Sequence, residues 1–172
     1  QEQFLKLQGQ TNESPYLIDV DRAEGVYIWD KSGKKYMDMI AGVAVTNIGH
    51  RHPKVIEAIQ NQMDKHLHVM VYGEYIQDAQ LALANNLNSL LPVSLNCSYI
   101  VNSGTEANEA AIKLAKRYTG RSEIISCNQS YHGSTHGSLS VTGNETKKAK
   151  YRPLLPLVKF IEFNNIESLN II

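Results

Sequence analysis

The sequence predicts an α/β fold in which an antiparallel N-terminal portion precedes the first part of a layer built on a mostly parallel sheet. Three observations predict it. Residues 14–39 alternate apolar and polar positions around a short polar turn. Residues 97–127 read strand, helix, strand, the pattern of a βαβ unit with a right-handed crossover. The closing segment NIESLNII follows a third α/β strand with no covering helix, so the sheet is expected to be incomplete and part of a larger domain.

The first dozen residues are polar and expected to be poorly ordered. PYLIDVDRAEGVYIWDKSGKKYMDM then alternates around the turn Lys31-Ser32-Gly33-Lys34. Val26, Ile28 and Asp30 are expected on one face and Tyr27 and Trp29 on the other; a parallel crossover does not fit in so few residues. AGVAVTNIGHRH reads as a loop or short strand. Pro53 suits the first position of a helix, and Val55, Ile56, Ile59, Met63 and Leu67 give that helix its apolar stripe. A second helix is expected over Ile76–Leu91, with Pro92 beyond its end. Strands are expected at Cys97–Val101, Glu123–Cys127 and Leu157–Phe163, and a helix at Glu106–Tyr118 closed by Gly120.

Charge narrows the function classes. Across 172 residues, 17 Lys and Arg balance 17 Asp and Glu, which argues against a nucleic-acid arm or a membrane-surface patch. No apolar run approaches the roughly 20 residues of a spanning helix, and QEQFLKLQGQ lacks the features of a secretory signal. Two cysteines, Cys97 and Cys127, make no disulfide framework. A soluble, cytoplasmic chain is expected.

The most informative segment is CSYIVNSGTEANEAAIKLAKRYTG. Ala107, Ala110, Ala111, Leu114, Ala115 and Tyr118 share a helix face; Glu106 and Glu109 are assigned to the first turn, and Lys113, Lys116 and Arg117 to the last, complementing the helix dipole. Its start supports two readings. One is a capping box, Ser103 with Glu106. The other is an anion cradle, in which Gly104 lets a phosphate approach the backbone N–H groups and the hydroxyls of Ser103 and Thr105 add donors. The segment alone leaves the two level. It is neither a GxxxxGK[ST] loop nor a GxGxxG turn.

IISCNQSYHGSTHGSLSVTGN follows the next strand, where α/β folds place functional loops. Tyr131-His132-Gly133 sets an aromatic ring and an imidazole there, although a surface loop with Tyr131 packed on the sheet reads equally simply. A helix-start phosphate site beside an aromatic plate suits a flat, phosphorylated, aromatic cofactor.

NSGTEANEAAIKLAKRY followed by SYHG resembles the class III aminotransferases, of the acetylornithine, ornithine and ω-amino acid type, which use pyridoxal 5′-phosphate. GVYIWDKSGKKYMDMIAGVAVTNIGHRHPKVIEAI is similar to that family's N-terminal stretch, including Gly49-His50 and Pro53. The resemblance runs from about Pro15 to Asn165 and implies fold type I. Residues 1–68 are then the N-terminal segment of a small domain with its linking helix, and 69–172 the first part of the cofactor-binding large domain. It implies that Ser103, Gly104 and Thr105 bind the cofactor phosphate, that Tyr131 stacks on the pyridine ring, and that His132 sits beside it. Val43 and Tyr72 resemble substrate-pocket lining, more loosely.

The sequence departs from the family in two ways. Members are longer chains, and their Schiff-base lysine, the acidic partner of the pyridine nitrogen and a phosphate-binding threonine lie beyond the point where this sequence stops. Lys113 and Lys116 are expected on a helix flank and Lys147, Lys148 and Lys150 in a solvated cluster, so no catalytic residue is assigned and this chain alone is expected not to turn over. Ser134 stands where ornithine- and acetylornithine-type members usually carry an arginine that clamps a substrate carboxylate, which argues against those substrates and 4-aminobutyrate.

The expected function is therefore the N-terminal portion of an aminotransferase, homodimeric when complete, passing an amino group from a small-molecule donor to a 2-oxo acid. An aminomutase or decarboxylase on the same scaffold is the nearest alternative, and a non-catalytic phosphate-binding module the more distant one. The pairs His50/His52 and His66/His68 lack metal-ligand spacing, so no metal is expected and His50 reads as a loop anchor. Cys97, Cys127 and Met37, Met39, Met63 and Met70 read as apolar filler.

Overall fold

A computed structural model of the chain describes residues 1–70 and 73–171. It divides into two units, Gln1–Tyr75 and Ile76–Ile172.

In the first unit a short helix, α1 (Glu2–Leu7), forms where the sequence suggests no element. EQFLKL consists mostly of good helix formers, with Glu2 in the first turn and Lys6 in the last. Strands β1 (Val20–Glu24), β2 (Tyr27–Asp30) and β3 (Lys35–Met37) form an antiparallel sheet in that order. The β2–β3 turn falls on residues 31–34 as expected. Asp30 closes it, accepting from Ser32 N at 2.9 Å, Ser32 Oγ at 2.6 Å and Lys34 N at 3.0 Å, while Tyr36 donates to its other oxygen at 2.7 Å. Those bonds, the Ser32 hydroxyl foremost, draw the Asp30 carboxyl down to about 2. Tyr27 and Trp29 share a face as expected, 6.0 Å apart, with Arg22 3.7 Å above Trp29 and Lys35 3.6 Å above Tyr27. Val26 sits instead in the two-residue β1–β2 turn with Gly25, half exposed.

The segment after β3 is tied back by one carboxylate. Asp38 accepts from the N–H of Ile40 and Ala41 at 3.0 and 2.9 Å and from His50 Nε2 at 2.7 Å. Gly25 and His50 exchange backbone hydrogen bonds, and Gly49 (φ +90°) lies so close to Gly25 that a Cβ would meet its carbonyl oxygen at 3.1 Å. His50 is thus the loop anchor the sequence suggests. Between these ties, α2 (Ala41–Ala44) replaces the expected loop or strand with a turn whose residues all have positive φ. Val43 (φ 60°, ψ 57°) is a β-branched residue held there against its sterics. The Asp38 carboxyl lies below its ordinary 3.8, chiefly through His50, so its stabilising contribution is present above that value and lost as pH falls through the lowered one. Replacing His50 with Ala is expected to speed amide exchange at Ile40 and Ala41; unchanged exchange would show that the ring does not hold the loop. α3 (Pro53–Met63) begins on Pro53 as expected and stops before Leu67.

In the second unit α4 (Asp78–Leu90) is slightly shorter than expected. Residues 97–101 form no strand, because a strand is a paired object and no described residue pairs with them. α5 (Gly104–Thr119) matches its sequence signals, with Ser103 as N-cap and Gly120 left-handed (φ 69°) at the end. β4 (Ile124–Cys127) and β5 (Val158–Ile161) are parallel, in register from Ile124 with Val158 to Cys127 with Ile161. The parallel pair therefore lies one connection later than expected, and its crossover carries α6 (His136–Val141) and α7 (Glu145–Lys148).

α6 is the buried centre of this unit. Leu139 and Val141 are buried beside Ser138, Ser140 and Thr142. Each of these hydroxyls has a partner: Ser138 donates to Thr105 O (2.9 Å), Ser140 to His136 O (2.6 Å) and Thr142 to Ser138 O (3.0 Å). Several filler assignments are corrected. Cys97, Met37, Met39 and Met63 are exposed, and Lys148, expected in a solvated cluster, is 4% exposed.

Candidate functional site

The start of α5 and the loop after β4 meet in the second unit. Gly133 has φ +132° and is buried, and a Cβ built on it would run into the Thr105 side chain. Gly137 approaches α5 equally closely, since its Cβ would collide with the Glu109 carboxylate. Two glycines four residues apart thus let the loop and α6 lie directly on the first two turns of α5.

Polar ties fix this contact. Glu109 Oε1 accepts from Thr135 Oγ1 at 2.5 Å and from Ser138 N at 3.0 Å. These bonds, the Thr135 hydroxyl foremost, hold the carboxyl below its ordinary 4.5. Glu109 lies beyond the first turn to which its spacing assigned it, and it serves the start of α6 rather than the dipole of its own helix. Asn108 Nδ2 donates to His132 O at 2.7 Å. Neither Asn108 nor the inward role of Glu109 is evident from the sequence, although the Gly133–Gly137 spacing is a signal of close backbone approach.

Ser103 Oγ accepts from Glu106 N (3.3 Å) and donates to Glu106 Oε2 (2.9 Å), so the capping reading is realised. Thr135 has one hydroxyl proton and gives it to Glu109, so at 2.8 Å it is Thr105 Oγ1 that donates to Thr135 Oγ1. Both hydroxyl protons of the expected cradle are therefore taken by neighbouring side chains, Glu106 and Thr135. The N–H groups of Gly104 and Thr105 remain, since the first turn of a helix leaves them outside its own ladder. Nothing lies within 4 Å of a Cβ built on Gly104, so a phosphate has room to approach that backbone.

Tyr131 is 64% exposed rather than packed on the sheet, and its hydroxyl lies 3.2 Å from Ser134 Oγ. His132 is half-buried: its backbone N–H donates to Thr142 Oγ1 (3.1 Å), and its Nε2 lies 3.3 Å from Ser126 Oγ. Ser126 gives its own proton to Val141 O at 2.6 Å, which makes Nε2 of His132 the protonated nitrogen. Ser103, Gly104, Thr105, Tyr131, His132 and Ser134 thus belong to one region. Val43 lies in the first unit, 84% exposed, and Tyr72 lies outside the described residues. Among the described residues no group of three His, Cys, Asp or Glu side chains could hold a metal, and no helix is long and apolar enough to cross a membrane.

The aminotransferase class-III family model matches residues 8–171. The chain is similar to an acetylornithine aminotransferase of Archaeoglobus fulgidus, 39% identical over 88% of this chain and 40% of that one. Among solved structures it is similar to the adenosylmethionine-8-amino-7-oxononanoate aminotransferase of Methanocaldococcus jannaschii, with 32% identity and a TM-score of 0.88 over 98% of this chain and 41% of that one. It is also similar to the taurine:2-oxoglutarate aminotransferase of Bifidobacterium kashiwanohense, solved with PLP and glutamate, with 29% identity and a TM-score of 0.80 over 93% of this chain and 36% of that one. The chain spans about 40% of the length of the curated relative.

Proposed function

The chain belongs to the class-III aminotransferase family, and from that premise we propose that it forms the phosphate- and ring-binding part of a pyridoxal-phosphate-dependent aminotransferase. The observation that carries this is the outward-facing start of α5, unobstructed at Gly104, beside a loop that carries an exposed Tyr131. Such a site fits a group with a phosphate at one end and a flat ring at the other. When bound, the cofactor supplies the electron sink through which an amino group passes from a donor to a 2-oxo acid.

The chain's own residues bind and orient. The N–H groups of Gly104 and Thr105, with the positive end of the α5 dipole, hold the phosphate. Ser103 Oγ and Thr105 Oγ1 give their protons to Glu106 and Thr135, so they shape the cradle while the backbone N–H groups bind the anion. Tyr131 presents its ring face, steadied through Ser134, and His132 ties the loop to Thr142. Ser134 cannot make the two parallel bonds of an arginine, so an α-carboxylate substrate must be clamped elsewhere. On this reading residues 1–68 belong to the small domain and 69–172 to the cofactor domain, Val43 and Tyr72 line the substrate pocket, and the complete enzyme is a cytoplasmic homodimer. The free thiols of Cys97 and Cys127 fit a reducing compartment.

Cofactor titration of the complete enzyme tests the cradle. Gly104→Val adds its side chain in open space, so the fold is expected to persist while cofactor affinity falls by about tenfold or more, the loss of one charge-assisted contact. Tyr131→Ala is expected to weaken binding by about three- to tenfold through the lost ring contact. Unchanged affinity in both variants would remove the proposal.

A further inference from the structure

Among the described residues, the side-chain hydrogen bond of Tyr131 runs only to Ser134, three positions along the same loop, and the ring is exposed. A side chain held so lightly takes its direction from the backbone beside it. That backbone is pinned at residue 132. The peptide joining Tyr131 to His132 gives its N–H to Thr142 Oγ1 at 3.1 Å, and Thr142 is fully buried at the end of α6. In the next peptide, the His132 carbonyl accepts from Asn108 Nδ2 at 2.7 Å. A carbonyl can only accept, so the Asn108 atom that meets it is the amide nitrogen.

This second peptide leads into Gly133, whose φ of +132° is open to glycine and to few other residues. Glycine permits that orientation but does not enforce it, and the Asn108 amide supplies the constraint. The other ties from α5 fall further along: Thr105 reaches Thr135, and Glu109 reaches Thr135 and Ser138. Asn108 is the α5 side chain that grips the backbone next to Tyr131, and it lies one turn after Gly104 on the helix that forms the cradle.

We infer that Asn108 is a positioning residue, which by holding the His132 carbonyl sets the direction of the Tyr131 ring relative to the start of α5. The inference rests on the cofactor reading of Gly104, Thr105 and Tyr131. It assigns to one amide the registration of the ring end of that site with its phosphate end.

Affinities of the complete enzyme, stripped of cofactor, for pyridoxal 5′-phosphate and for inorganic phosphate test it. Asn108→Ala is expected to weaken cofactor binding by about threefold, the scale of one neutral hydrogen bond. Inorganic phosphate should bind unchanged, since the N–H groups that hold the anion are untouched, and its retention shows that the variant is folded. In a Tyr131→Ala background the same change is expected to cost nothing further, because its effect passes through that ring. Gly104→Val is expected to weaken both ligands. Unchanged cofactor affinity in Asn108→Ala, an equal loss of phosphate affinity, or a loss additive with Tyr131→Ala would each overturn the inference while Gly104→Val still lowers both. A Gly104→Val enzyme that binds both ligands as the parent does would remove the cradle itself, and the inference with it.

Discussion

Replacing Gly133 with alanine is expected to destabilise the second unit by about 2–4 kcal/mol, measured by chemical denaturation. Two effects combine. At φ +132° an L residue is strained whatever space surrounds it, and the new methyl would also fall on the Thr105 side chain, whose Cβ stands 2.6 Å from the built position. A double-mutant cycle separates them. Thr105→Gly removes the two nearest obstructing atoms, so Gly133→Ala made in that background retains the backbone strain and the 3.1 Å approach to Ser138 Cβ but loses the collision with Thr105. A coupling of about 1 kcal/mol or more is expected between the two sites. Additive effects would assign the cost to backbone strain and the approach to Ser138 rather than to Thr105, and a Gly133→Ala protein within about 0.5 kcal/mol of the parent would show that the loop does not rest on α5.

That contact illustrates which parts of the molecule can be read locally. α5 was legible because its apolar period, its Ser103 cap and its Gly120 stop agree within one short stretch. The 31–34 turn was legible for the same reason, since Asp30 makes its bonds to Ser32 and Lys34 within four residues. Residues 97–101 have strand composition, but no described residue supplies the ladder a strand requires. α6, sequence HGSLSV, has three small residues and no apolar period, and its start is fixed by Glu109, 29 residues from Ser138 along the chain. The candidate site divides in the same way. Ser103-Gly104-Thr105 and Tyr131-His132-Gly133 stand out as motifs, and the structure places both in one region. The direction of their protons was not legible, because it is set by Thr135, 30 residues from Thr105. Burial of Lys148 was hidden too: Lys147, Lys148 and Lys150 read as a solvated cluster until Phe160 is folded beneath Lys148.

Glu109→Ala is expected to loosen the start of α6 and cost about 1–3 kcal/mol, because the Thr135 hydroxyl and the Ser138 N–H lose their acceptor together. Glu109→Gln keeps an oxygen in place and is expected to cost less. The pH dependence distinguishes the charge from the hydrogen bonds. The Glu109 carboxyl is held below 4.5, so its contribution is fully present above that value and declines as pH falls through the lowered one. The parent should therefore lose protection of the Ser138 amide on acidification below about 4.5, and Glu109→Gln should show no such step over the same range. An identical acid transition in the two proteins would place the titrating group elsewhere. A merely volumetric role for Glu109 predicts that Gln behaves as the parent at every pH; a role through negative charge at the two donors predicts that the proteins differ near neutrality and converge in acid. Convergence would make Glu109 a positioning residue: through Thr135 it directs the Thr105 proton away from the cradle, leaving the backbone of α5 to receive the anion.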